Sequence, residues 1–374
     1  MNVRGRLARW PLAGFLVVAV VGTLVLALGE GVGISSDYSI VVTGLAALLF
    51  CWACSARGDG PGRPILRLTI VIAVFVVNLA LAAWSLEHFR NDHVPSFESS
   101  YADAIREVLH PDFSSWLPVW LEGLVAGLIL GCVWSASDGP RDLVRTLVSW
   151  VPGRTGRLLA VLLVVPLAIA LCSILVTRAT RVQGWAVIPY RASATETVII
   201  FLMLLVTSTT LTFAWFGFAA PRLARTLPPL FIGVLVGVAV ELPGLVAMVK
   251  SVAAHDLPRR GVVVDELPAL AFAVAISIIA LWLTRLTPHS LLPVLVFMAA
   301  VFAAHGVAFT FAGATFESAW RSSDIYRWAV SGVAVLVVLQ GRMWRRAASL
   351  DRAEAPSGLL DVGAGASVGS LAGR

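Results

Sequence analysis

Ten long apolar segments run through this chain, and each is long enough to cross a lipid bilayer as a helix. A transmembrane helix needs roughly 20 predominantly apolar residues, and its backbone hydrogen bonds must be made inside the segment because hydrocarbon supplies none. The segments are 11–30, 38–56, 65–86, 116–137, 157–178, 197–220, 229–250, 267–285, 290–314 and 328–344. The sequence therefore predicts an all-α integral membrane protein, a polytopic bundle of about ten transmembrane helices within residues 1–346.

Composition excludes the water-soluble classes of protein. Hydrophobic residues make up 58% of the chain and charged residues 13%, whereas soluble domains average about 45–50% apolar and about 25% charged residues. The expected partner of most of the surface is therefore the lipid bilayer. The net charge of +6 gives no reason to expect nucleic acid as a partner. The excess of basic residues is explained by the predicted orientation of the helices, which places most of them on the cytoplasmic side.

The distribution of basic residues predicts that orientation. With the N-terminus inside, 18 of the 28 lysines and arginines lie on the cytoplasmic side of the ten segments, and cytoplasmic loops of membrane proteins carry such an excess. Both termini are therefore expected in the cytoplasm. Lys250 is the one lysine among these 28 residues, a bias typical of GC-rich bacterial genes, so the expected location is a bacterial cytoplasmic (inner) membrane.

Three predicted elements lie outside the hydrocarbon. Residues 99–110 have apolar side chains at helical spacing on one face, which predicts an outer amphipathic helix that either rests on the membrane surface or docks a partner protein. Residues 141–151 predict an inner interfacial helix, with Arg141 and Arg145 placed for anionic headgroups. Residues 347–374 are rich in Ala, Gly and Ser and lack apolar periodicity, which predicts a disordered cytoplasmic tail.

Glu241 is the first candidate for a functional residue, because it lies near the middle of the seventh segment. An ionisable group at membrane depth is costly unless it is paired or hydrated. Pro243 removes one amide from the helical ladder and Gly244 adds flexibility, so a helix break is predicted beside the carboxylate. Transporters bind ions and protons at such places. The alternative is structural: a protonated glutamate that bonds to the carbonyl freed by the proline.

Three further polar groups are predicted at membrane depth. His305, in the ninth segment, lies at nearly the depth of Glu241 and is a possible proton relay, while Asn78 and Glu122 lie in the outer half. With Glu30 at the outer boundary, they are predicted to line a hydrated cavity that opens outward and has Glu241 at its floor. The alternative for each is an ordinary hydrogen-bonded residue of the bundle.

A run of hydroxyl side chains interrupts the sixth segment from Thr207 to Thr212. Because Thr207 to Thr210 is a continuous polar run, its side chains point to several sides of a helix, which favours back-bonding to carbonyls four residues earlier over a substrate-facing stripe. No metal-ligand spacing, phosphate-binding loop or dinucleotide fingerprint occurs in the sequence, so neither a metal nor a cofactor is expected.

The expected function is that of a small-solute transporter or permease, with Glu241 as the carboxylate that binds a cation or proton. One alternative is a membrane-embedded enzyme, an intramembrane hydrolase or transferase that acts on a lipid or peptide with Glu241 and His305 as acid and base. The other is a non-catalytic membrane subunit that docks its partner through residues 99–110. The sequence favours a protein without enzymatic activity and leaves the substrate and the oligomeric state open.

Overall fold

The computed structural model describes residues 11–29, 38–54, 64–93, 121–129, 155–180, 194–253, 259–287, 290–311 and 316–345. Every regular element within these ranges is a helix, which confirms the predicted all-helical fold for them. The helices are α1 (Pro11–Gly29), α2 (Tyr38–Cys54), α3 (Pro64–His93), α4 (121–129), α5 (Thr155–Ala179), α6 (Ala194–Leu211, continuing through the π-helix Thr212–Ala219 into the turn Ala220–Leu223), α7 (Pro229–Ala253), α8 (Arg259–Leu286), α9 (Leu292–Thr310) and α10 (Phe316–Gly341).

Six of these helices are long and apolar enough to cross a membrane. The six apolar stretches are Leu158–Ala179, Val198–Leu223, Pro229–Val246, Leu267–Leu286, Leu292–Phe309 and Ser318–Gly341. Shorter apolar stretches lie in α1, α2 and α3, where the first three segments are predicted, and α4 lies within the fourth. The predicted elements at 99–110, 141–151 and 347–374 lie outside the described residues.

The last predicted segment, 328–344, is wrong at its start, because α10 begins at Phe316. Asp324 and Arg327 lower the hydropathy of the first turns, but their side chains lie 3.6 Å apart, one turn from each other, and offset each other's charge. The helix ends at Gly341, after which Arg342 adopts a left-handed φ of 47°. The amide of Met343 donates to the carbonyl of Val338 at 3.2 Å, which is the Schellman pattern of a helix terminus.

The core is built around the π-helix of α6, whose eight residues are all buried. The ring of Phe15 in α1 packs edge-on against Trp215 at 5.4 Å and against Phe218 at 5.2 Å between ring centroids. Of the six membrane-length helices, α9 is the most enclosed, with 61% of its apolar stretch buried, whereas the figure for both α5 and α7 is 28%. The exposed apolar side chains of these two helices suit a lipid environment.

Two glycines allow α7 and α8 to pack in close contact. Gly233 and Gly237 lie four residues apart, the spacing of small residues where membrane helices meet. A Cβ atom at Gly233 would lie 2.6 Å from Cγ1 of Ile278, and one at Gly237 would overlap the backbone of Val274. The close approach therefore depends on the missing side chains, and it fixes the position of Glu241, one helical turn further along α7.

Candidate functional site

A cavity of about 250 Å³ lies among residues of α1, α2, α6, α7, α8 and α9. Within the part of the chain that the structure describes, Glu241 is the one ionisable residue that lines it. The remaining polar side chains of the lining are the hydroxyls of Thr23, Thr43 and Ser277, each of which is nearly inaccessible to solvent. The rest of the wall is apolar. Glu241 therefore presents a carboxylate to a mainly apolar cavity.

α7 runs as one α-helix from Pro229 to Ala253 and continues through Pro243 and Gly244, where the sequence predicts a break. A proline removes a single ladder hydrogen bond, and a helix surrounded by neighbours tolerates that loss. The carbonyl of Ala239 nevertheless receives no bond from residue 243, since proline has no amide hydrogen. Ala239 and Pro243 both line the cavity, so the proline provides an additional hydrogen-bond acceptor in the wall close to Glu241.

Aromatic rings form much of the cavity wall. Trp215 and Phe216 belong to the π-helix, in which hydrogen bonds run to the fifth residue, so that Leu211 and Phe216 come to lie on the same side. Phe272 of α8 and Phe302 of α9 meet edge to face at 6.2 Å between centroids. π-Helices are rare in proteins, but those that occur often lie at functional sites. The sequence gives no direct signal for this one, since its register depends on packing against α1, α2 and α8.

His305 belongs to a second polar group, formed between α9 and α10. The Nε2 atom of His305 lies 2.6 Å from Oγ of Ser323, and Nε of Arg327 donates to the same Nε2 at 3.2 Å. A guanidinium only donates hydrogen bonds, so Nε2 must accept, and the imidazole is uncharged with its proton on Nδ1. Arg327 also forms the ion pair with Asp324. This His305 cluster therefore holds one positive and one negative charge close together.

The cavity and the His305 cluster are neighbours at the same height in the bundle. The ring of Phe272 lines the cavity and also packs against the imidazole of His305, with 5.4 Å between centroids. The ring of Tyr326 completes this aromatic contact at 5.9 Å from Phe272. His305 itself is not among the residues that line the cavity. Phe272 therefore lies both in the wall of the cavity that Glu241 lines and against His305.

Glu122 and Asn78 come together at a third place, between α3, α4 and α6. The hydroxyl of Thr207 donates to Oε2 of Glu122 at 3.0 Å. A Cβ atom at Gly123 would lie 2.8 Å from Nδ2 of Asn78, so α4 passes directly over this amide. Neither Glu122 nor Asn78 lines the cavity. The four predicted site residues therefore lie in three separate surroundings, and Glu30 lies outside the described ranges.

The hydroxyl run of α6 behaves in two ways. Thr209 donates to the carbonyl of Leu205 at 2.9 Å, the back-bonding that the sequence favours. Thr207 instead reaches across to Glu122. The hydroxyls of Thr210 and Thr212 are buried and have no hydrogen-bond partner among the described residues. The sequence interpretation therefore missed the contact between α6 and the carboxylate of α4.

Sequence reasoning also missed the residues that surround His305. Ser323, Asp324 and Arg327 precede the predicted start of the last segment at residue 328, so they were assigned to an outer loop. A signal existed: Ala319, Tyr326 and Val330 are buried and recur at helical spacing. The opposite charges three residues apart are a second sign that the helix extends upstream.

No family model matches the sequence, and no curated protein is significantly similar to it. Its function is therefore inferred from the chemistry of these three groups. Within the described residues, no set of three or more His, Cys, Asp or Glu side chains is placed to hold a metal ion. The cavity offers a carboxylate, hydroxyls and aromatic faces, which together suit the binding of a proton or of a small positively charged solute.

Proposed function

We propose that this protein is a small-solute transporter of the bacterial inner membrane, with both termini in the cytoplasm, and that Glu241 binds the transported cation or a coupling proton. The observation that carries the proposal is the cavity lined by this single carboxylate. An ionised group at membrane depth costs several kcal/mol unless it is hydrated or paired. A carboxylate that lines a cavity at this depth is within reach of a proton or cation that enters the cavity.

The position of the cavity supports this proposal. Glu241 lies twelve residues after Pro229, which corresponds to a rise of about 18 Å along α7, roughly half the length of that helix. Transporter sites lie near the bilayer midplane. The lining residues come from six helices, so a modest movement of one group of helices against another changes the access to the cavity. Such rearrangements around a fixed site are the basis of alternating access.

Reconstituted protein tests the proposal. In proteoliposomes that carry a pH gradient and a pH-sensitive dye, we expect a panel of small solutes to include one that collapses the gradient. Glu241→Gln should abolish that flux, because the amide binds neither a proton nor a cation. Glu122→Gln is the matched control, since it makes the same chemical change outside the cavity and leaves an acceptor for Thr207. Full flux through the Glu241→Gln variant would exclude the proposed role of this carboxylate.

A membrane-embedded hydrolase is the second candidate, because of the contact of 2.6 Å between Ser323 Oγ and His305 Nε2. A serine that donates to an imidazole is the arrangement of a nucleophile with its general base. Arg327 donates to the same nitrogen and reduces its ability to accept a proton, which favours the transporter. A fluorophosphonate probe separates the two functions: labelling of the native protein in detergent that is lost in Ser323→Ala would establish the hydrolase.

A further inference from the structure

We propose that the cavity beside Glu241 binds a small organic cation with an apolar body, such as an alkylammonium ion. This inference rests on the proposed function, since it names the class of solute that the transporter carries. Three properties of the lining support it: the aromatic rings, the sign of its charge and the volume of the cavity. Each property excludes a different class of competing solute.

The aromatic rings favour a cation. Trp215, Phe216, Phe272 and Phe302 all line the cavity, and the first three are almost completely buried. The face of an aromatic ring carries partial negative charge and attracts ammonium groups, and tryptophan does so most strongly. Because water does not compete at a buried ring, one well-placed contact strengthens the binding of a cation by about two- to thirtyfold. An uncharged solute of the same shape gains no such contribution.

The charge of the lining excludes an anion and disfavours a bare metal ion. Glu241 is acidic, and no basic residue is among the described residues that line the cavity. A metal ion such as Ca²⁺ takes about six to eight oxygen ligands, whereas the other side-chain oxygens available are the hydroxyls of Thr23, Thr43 and Ser277, set in a mainly apolar wall. An alkylammonium ion needs fewer oxygen ligands, because its alkyl groups pack against apolar and aromatic surfaces.

The volume of the cavity sets an upper limit on the solute. About 250 Å³ is available, which is less than the roughly 300–1,000 Å³ of pockets that hold drug-sized ligands. We therefore expect the cavity to accept tetramethylammonium, tetraethylammonium and choline, and to exclude tetrabutylammonium. A preference for the smaller ions distinguishes binding in the cavity from adsorption to the detergent, because longer alkyl chains increase adsorption.

Titration calorimetry on the full-length protein in detergent micelles tests the inference. Choline should bind, and its uncharged carbon isostere 3,3-dimethylbutan-1-ol should not. Glu241→Gln should weaken choline binding about tenfold or more, since it removes the one negative charge of the lining. Glu241→Asp keeps the charge and shows whether a loss of binding comes from charge or from misfolding. Equal binding of choline and the alcohol would overturn the proposal.

A matched pair of aromatic variants tests the contribution of the rings. Phe302→Leu keeps an apolar side chain in the cavity wall but removes the ring, so choline binding should weaken about two- to thirtyfold. Phe309→Leu is the control, because Phe309 lies on the same helix and packs against Trp320 instead. Equal effects of the two variants on binding would show that the rings of the cavity do not recognise the cation.

The two proposals fail in distinguishable ways. Choline binding that depends on Glu241, without any flux in proteoliposomes, would support the assignment of the solute class and overturn the transport function. Flux of a different solute that depends on Glu241, without binding of any alkylammonium ion, would support transport and overturn the solute class. Stronger binding of tetrabutylammonium than of tetraethylammonium would also overturn it.

Discussion

The contact between α7 and α8 predicts that replacing glycine by alanine has opposite effects on stability at Gly237 and at Gly332. Gly237→Ala places a methyl group that overlaps the backbone of Val274, so the two helices must separate. Overpacking of this kind costs typically about 1–3 kcal/mol. Gly332→Ala meets no atom within 4 Å and gains the helix propensity of alanine, up to about 1 kcal/mol. Because both substitutions gain that propensity, the variants should differ by the overpacking term, about 1–3 kcal/mol.

Unfolding in mixed micelles, followed by tryptophan fluorescence, measures this difference. We expect Gly332→Ala to unfold at a higher fraction of denaturing detergent than the native protein, and Gly237→Ala at a lower one. Glu241 follows Gly237 by one turn, so the second variant should also weaken choline binding. If the two variants shift stability equally and in the same direction, α7 and α8 do not pack at Gly237, and the position assigned to Glu241 is wrong.

Three further perturbations test the other sites. Thr207→Val removes the donor to Glu122 and should reduce the free energy of unfolding by about 0.6–1.7 kcal/mol, the range of hydrogen bonds between membrane helices; no change would show that this bond contributes nothing. Arg327→Met should destabilise the protein more than the double variant Arg327→Met/Asp324→Leu, because the single variant leaves the charge of Asp324 uncompensated. If the effects of the two single substitutions on the free energy of unfolding simply add, the ion pair does not contribute to stability. Deletion of 99–110 should leave choline binding intact, and loss of a co-purified partner would favour the subunit hypothesis.

The membrane-length helices could be predicted because hydropathy is a local property. α5 agrees with the predicted segment 157–178 to within two residues at the start and one at the end. α10 could not be bounded in this way, since its apolar stretch has a mean hydropathy of 1.3, the lowest of the six. Asp324 and Arg327 reduce that average, and their mutual compensation depends on their being helical neighbours. A hydropathy scale sums the values of single residues, so it does not account for the interaction between two paired charges.

The carboxylate of the candidate site could be predicted from the sequence, but the residues that surround it could not. Glu241 is conspicuous in the sequence because an acidic residue in an apolar run is costly. The rings that surround it come from helices whose order in space the sequence does not reveal. The continuation of α7 past Pro243 has a related cause, because proline weakens an isolated helix, whereas α7 packs closely against α8 at Gly233 and Gly237.

The arrangement of charges in the bundle has a consequence for the proposed role of Glu241. The amide of Leu230 donates to the carbonyl of Met343 at 3.1 Å, so the start of α7 lies beside the end of α10. Glu241 and Arg327 therefore lie at similar heights, about 18 Å and 21 Å from these ends. Arg327 forms its ion pair with Asp324, at 3.6 Å. If Glu241 binds both a proton and an alkylammonium ion, as we propose, the two compete for the same carboxylate, and their mutual exclusion would make the transporter an exchanger of one for the other.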